Sequence, residues 1–163
     1  MKFEGEHLLP GELGHFFVLL SFVASITATI AYFKSAGVAN RVAKKSWLQY
    51  ARAAFFIQTI SVLTVFAIIF FISSNHYFEY LYVYKHASKE LESKYLLACI
   101  WEGQEGSFLL WSIWHSVLGM ILIWKSKKWE GHVMTVINFA QVFLALMILG
   151  LYFFGVRVGS SPF

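Results

Sequence analysis

Four apolar runs, at about 13–33, 53–72, 96–124 and 133–154, decide what this chain can fold into. Each is long enough, as a helix rising about 1.5 Å per residue, to cross a hydrocarbon core of about 30 Å. Lipid offers no hydrogen bonds, so a crossing segment has to satisfy its own backbone, and a helix does that. No proline interrupts a run; Pro10 and Pro162 lie outside them. The expected fold is all-α: one polytopic membrane domain over residues 1–163, with four transmembrane helices and an outer loop at about 73–95. Composition agrees, because 58% of the 163 residues are hydrophobic and only 13% are charged. Soluble domains carry about 25%. The 17 Phe, 8 Tyr and 6 Trp supply interfacial aromatic belts.

Charge orients the bundle. The segment joining the first two runs holds Lys34, Arg41, Lys44, Lys45 and Arg52 with no acid, and the one joining the last two holds Lys125, Lys127 and Lys128. The positive-inside rule places both in the cytoplasm, and hence both termini on the outer, periplasmic side. These cations report orientation rather than a nucleic-acid partner. The N-terminus "MKFEGEHLLPGELG" lacks a basic leader and a cleavage site, so the first run reads as a retained span. The single cysteine, Cys99, excludes an internal disulfide, and no CxxC is present. No phosphate-binding glycine loop, HExxH or GxSxG pattern occurs, which leaves no sequence basis for a soluble catalytic domain.

The stretch "WEGQEGSFLLW", residues 101–111, is the most unusual. Wound as one continuous helix, it sets Trp101, Glu105, Phe108, Ser112 and His115 on one stripe, with Gln104 beside it. Gly103, Gly106 and Ser107 then fall on the opposite side, a small-residue pattern that lets membrane helices approach closely. An ionisable residue at this depth normally faces a bundle interior or a wet cavity. Glu105 is therefore expected to face such a site rather than lipid. A solvated turn closing the outer loop is the plainer alternative.

The remaining polar residues admit both readings. His115 lies within the third run and suits either a hydrogen-bonded packing role or a ligand role. His7, His15, His76 and His86 fall at the outer boundary and His132 at the inner one. No pair has a short metal-ligand spacing, so no metal site is expected. Ser21, Ser25, Thr29, Gln58, Ser61, Thr64, Asn138 and Gln141 recur at helical spacings that suit interhelical hydrogen bonds. Tyr80, Tyr82 and Tyr84 alternate with Leu81 and Val83 as an extended segment on an apolar surface would. From Ser88 onward the sequence reads as a helix running into the third span.

"ELGHF" (12–16) opening the first span and "WEGQEGSFLLW" opening the third resemble the N-terminal region of CcmF-type cytochrome c maturation proteins. That family shows a pattern close to W-G-x-H-E-G-S-L-L-L-W. Trp101, Gly103, Glu105, Gly106, Ser107, Leu109, Leu110 and Trp111 lie on it, with Glu12 and His15 in the first-span motif. Gln104 stands where many members have histidine, and His115 has no family counterpart. The family's tryptophan-rich WWD segment with its flanking haem ligands is absent, so the resemblance implies a truncated chain or the N-terminal piece of a split protein. It further implies a bacterial inner-membrane location. The function implied is haem delivery or attachment to apocytochrome c at the outer face. The partners would be the remaining haem lyase region or subunits, a haem carrier protein and apocytochrome c. Haem would be bound by the complete assembly, and this chain would not be catalytic alone; the motif residues would support the haem cavity, with Glu105 on a buried polar partner, His15 or an outer-loop backbone group.

Two other function classes fit the residues without the resemblance. One is a small proton- or ion-coupled transport subunit with Glu105, His115, Asn138 and Gln141 as a polar path. The other is a structural subunit of a respiratory complex whose polar residues only stitch helices together.

Overall fold

The computed structural model describes residues 7–88, 93–153 and 155–163. Four of its helices are long and apolar enough to cross a membrane, and they form a bundle. In chain order the elements are α1 (Leu8–Gly37), α2 (Arg41–Ser74), α3 (Leu81–His86), α4 (Ser93–Glu102), α5 (Gln104–Lys125) and α6 (Glu130–Leu149), with a single 3-10 turn at Lys127–Trp129 before α6. A two-stranded antiparallel hairpin follows, β1 (Leu151–Phe153) and β2 (Val156–Val158), with Leu151 opposite Val158. α1 packs between α2 and α6, and α5 packs chiefly on α6.

Local chemistry sets the helix ends. Pro10 stands in the first turn of α1, where its missing N–H removes a donor that would have had no intrahelical acceptor. α2 starts at Asn40, whose side chain accepts from the Val42 and Ala43 N–H groups at 2.9 and 3.4 Å. Its 34 residues span about 51 Å, more than a hydrocarbon core requires. Set across a bilayer, a helix of this length would carry its basic first turns into the headgroup region. α6 stops at Gly150, whose left-handed backbone (φ 66°) favours glycine.

Two apolar clusters fill the bundle. Near the end that carries α3 and α4, Val18, Val62, Val65, Ile69, Tyr82, Ile100, Leu109 and Ile148 pack together. Near the other end, Ala28, Tyr32, Ala51, Phe55, Ile123 and Met134 do so. The outward faces carry Phe16, Val23, Ile60, Trp111, Trp114, Trp124, Phe139 and other exposed apolar side chains, as lipid-facing helices do.

Three local expectations are corrected. The third span is not one helix from 96 to 124: it breaks at Gly103, and only α5 is of membrane length. The fourth run does not stay helical to 154, because Gly150 turns the chain into the hairpin. Residues 81–86 form a short helix rather than an extended segment. Tyr82 and Val83 are buried side by side while Leu81 and Tyr84 are exposed, so burial here does not alternate. Of the helix expected from Ser88, residues 89–92 lie outside the described residues.

Candidate functional site

The two motifs that open the first and third spans meet one feature in common, the loop tyrosines. The Gly11 N–H, whose intrahelical acceptor would be the carbonyl of the N-cap residue His7, donates instead to Tyr80 Oη at 2.9 Å. The Tyr80 hydroxyl donates in turn to the His7 carbonyl. Glu79 takes the His7 N–H at 3.2 Å and stands 2.9 Å from the His7 ring, which stacks on Tyr77 with centroids 4.0 Å apart. A carboxylate at a helix N-terminus also suits the helix dipole. Thus α1 is capped by residues some seventy positions downstream. A Cβ on Gly11 would stand 2.8 Å from the Tyr80 ring, so the seat depends on glycine.

Tyr82 does the corresponding work at the other motif. The break between α4 and α5 frees the last carbonyls of α4. The Tyr82 hydroxyl donates to the Ile100 carbonyl, and Ser107 Oγ donates to the Trp101 carbonyl at 2.9 Å. Gly103 begins α5 in an extended conformation, and the Ser107 N–H closes back on its carbonyl at 3.0 Å. Gly106 is the tightest point. A Cβ there would fall 1.7 Å from the Ile100 oxygen and 2.5 Å from the Tyr82 hydroxyl. The glycines and the serine of the motif therefore build a helix joint sealed by a tyrosine. They do not form the small-residue seam between spans that a continuous helix implied.

Glu105, half-buried at the start of α5, lines a small pocket of about 80 Å³ with Leu81, Tyr82, Lys85, His86 and the tail serines Ser160 and Ser161. His86 Nδ1 stands 2.9 Å from the Tyr82 carbonyl, which can only accept. The proton therefore sits on Nδ1, and in the neutral ring Nε2 keeps its lone pair. Burial, and after it the Glu105 carboxylate, pushes the Tyr82 phenol above its ordinary value. Burial does the same for Tyr80. Burial pushes the Glu79 carboxyl upward, but the hydrogen bonds from its own backbone and from His7 outweigh this and hold it below its ordinary value.

The other expected site residues are dispersed. Glu12 and His15 are exposed on α1, and no hydrogen bond among the described residues joins His15 to Glu105. Gln104 is exposed, as are Trp101 (40%) and Trp111 (61%), which stand where interfacial anchors belong. Gly14, in the first motif, receives the Phe163 ring: a Cβ there would meet its carbons at 2.3–2.5 Å. His115 is half-buried at the edge of the buried stripe of α5, and its Nδ1 lies 2.9 Å from the Trp111 carbonyl of its own helix.

Asn138 and Gln141 do enter the bundle interior. Gln141 Nε2 donates to the Ser112 carbonyl at 2.9 Å and to Ser116 Oγ at 3.1 Å, joining α6 to α5. Asn138 turns back to the Met134 carbonyl at 2.8 Å. Gly119 abuts Phe55 and Met134, which fixes a common level for α2, α5 and α6. Counting outward from it by helix rise, Gln58, Ser116 and Asn138 lie about 4.5–6 Å up, and Ser61, Ser112 and Gln141 about 9–10.5 Å up. All six are buried, forming a polar layer between the two apolar clusters. In this layer Gln58 Oε1, Ser112 Oγ, Asn138 Oδ1 and Gln141 Oε1 have no hydrogen-bond partner among the described residues, and neither does Thr59 Oγ1, one residue beyond Gln58.

One charged pair was not anticipated. Glu130, with its side chain only 3% exposed, accepts from Arg52 Nε at 2.7 Å and Nη2 at 2.6 Å, tying α6 to α2. Its sequence signal was its sign: Glu130 is the lone acid in the two basic connecting segments. No cluster of three potential metal ligands occurs among the described residues. Compared with protein-family models, curated proteins and solved structures, the chain finds no match.

Proposed function

We propose that this chain is a membrane component of cytochrome c biogenesis that supports haem delivery or attachment to apocytochrome c, as one flank of a larger haem lyase in a bacterial inner membrane. The observation that carries the reading is the shared position of the two family-like motifs. Residues 11–14 and 101–107 lie at the same end of the bundle, and the neighbouring tyrosines Tyr80 and Tyr82 of one loop are seated on their glycines. The charge rule would set that end on the outer face, where haem lyase chemistry belongs. A pocket of about 80 Å³ is too small for a haem macrocycle, since small-molecule sites typically run to roughly 300–1,000 Å³. Haem does not fit between Glu105 and His86. The role proposed for these residues is to hold the end of the bundle in shape for the haem-handling partner subunits.

The test is deletion in the host followed by staining of membranes for covalently bound haem. Loss of c-type cytochromes, restored by the wild-type chain but not by Gly106→Ala or Glu105→Gln, is the expected result. Normal haem staining in the deletion strain removes the reading.

A second reading, a small proton- or ion-coupled transport subunit, is favoured by the polar layer with its five unpartnered oxygens. Cysteine accessibility mapping separates the two. Transport requires positions 138 and 141 to label from both sides of the membrane, whereas an assembly role leaves them sealed.

A further inference from the structure

The basic end of α2 carries a groove that neither reading uses. Arg41, Lys44, Lys45, Leu48, Gln49 and Arg52 line about 280 Å³ along one stripe of that helix. Three of its four cations, Arg41, Lys44 and Lys45, have no carboxylate partner among the described residues. No carboxylate occurs in the sequence between Glu12 and Glu79, and Glu130, the lone acid of this end, is buried and already held by Arg52. Positive charge at a helix end is enough to orient a membrane protein, but orientation does not require the carbon stems of several cations to line one groove with their charged heads at its rim.

We infer that this groove binds the headgroup of an anionic phospholipid, with the phosphate held between Arg41, Lys44 and Lys45. Three features select a lipid over a soluble anion or a protein. The stripe occupies the first three turns of a helix about 51 Å long, which puts it at headgroup depth. Leu48 forms the apolar part of the groove, and the continuous apolar run of α2 begins at Ala53, one residue past Arg52, so a molecule seated here lies along a path into hydrocarbon. Trp47 and Tyr50 stand on the same turns, and the Trp47 ring carries the Lys34 ammonium at 5.7 Å, an amphipathic flank of the kind found at membrane interfaces. The volume suits a phosphoglycerol headgroup. The inference is independent of the haem reading.

The test is native mass spectrometry of the full chain released from nanodiscs that contain phosphatidylcholine and phosphatidylglycerol in equal parts. One phosphatidylglycerol is expected to survive release. Lys44→Gln with Lys45→Gln lowers its retention roughly 30-fold, from about a fivefold effect per cation at the surface. Lys44→Arg with Lys45→Arg keeps it, which also shows that the positions tolerate change without unfolding. Lys125→Gln with Lys127→Gln removes the same charge at the same end but outside the groove, and leaves retention intact. Equal loss in that control pair would reduce the effect to bulk charge and overturn the site. Displacement of the lipid by millimolar inorganic phosphate would overturn it in favour of a soluble anion.

Discussion

The two ends of the bundle are built on different principles. At the basic end, eight cations accompany one carboxylate, and the main polar tie is the Arg52–Glu130 pair, in which charge is buried in return for charge. At the acidic end, eight carboxylates accompany five cations in the sequence, yet the main ties are neutral hydroxyls on backbone groups. Tyr80 caps α1, and Tyr82 and Ser107 cap α4. An ion pair tolerates water on one side but not the loss of a partner. A tyrosine over glycine tolerates no added atom, and it fails when the phenol ionises. The ends should therefore break under different insults.

The largest effect is expected at the ion pair. Arg52→Ala leaves Glu130 buried and uncompensated, which costs about 3 kcal/mol, the low end for a broken buried pair because Arg52 keeps access to solvent. Denaturant unfolding in detergent micelles measures it. A loss under about 1 kcal/mol would mean that Glu130 reaches water on its own. Next comes Gly106→Ala, whose added carbon meets backbone and cannot be accommodated by a side-chain shift, for about 1–3 kcal/mol. Its signature is local. Cys99, half-buried in α4 with a thiol that burial and then Glu102 push upward, should alkylate faster as the joint opens, while the basic end is unmoved.

Tyr82→Phe keeps the ring and removes one hydrogen bond, for about 1 kcal/mol. The pH profile probes the same latch without mutation. The phenols of Tyr80 and Tyr82 titrate above their ordinary value in the fold, so their stabilisation is present below about pH 10 and is lost as pH rises past it. Glu79 titrates below its ordinary value, so its share is present above about pH 4.3 and is lost as pH falls. Loop protection measured by hydrogen exchange should hold between these limits and decline outside them. Loss of protection that set in well below pH 10 would remove ionisation of the tyrosines as its cause. The smallest change is Gln141→Leu, near 0.6 kcal/mol, since hydrogen bonds between membrane helices average about that and the substitution also removes an unpartnered oxygen.

Much of this fold was legible because the strongest sequence signal, long apolar runs, is also the strongest constraint in lipid. Arg41 to Arg52 in sequence marked the basic end for the same reason. The joint at Gly103 was not legible. A glycine before "QEGS" is compatible with a continuous helix until Tyr82, twenty-one positions upstream, is known to supply the hydroxyl that makes a break affordable. Likewise nothing local pairs Arg52 with Glu130 across 78 residues. Of the site residues, Asn138 and Gln141 have a spacing that suits interhelical hydrogen bonds; Gln141 makes them to α5, whereas Asn138 bonds within its own helix. His115 was not separable from them, because it lies on the margin of the buried stripe of its own helix, α5. Glu12 and His15 carried only a resemblance, and the fold leaves both on the surface.

α2 runs unbroken from the Asn40 cap to Ser74. Near one terminus it holds the guanidinium of Arg52, and near the other it places Ile69 under the Tyr82 cluster. It is a lever with a load at each extremity and no pivot glycine along its length. A tilt imposed by whatever binds at the lysines is therefore delivered, about 36 Å away, to the floor beneath the tyrosine latch.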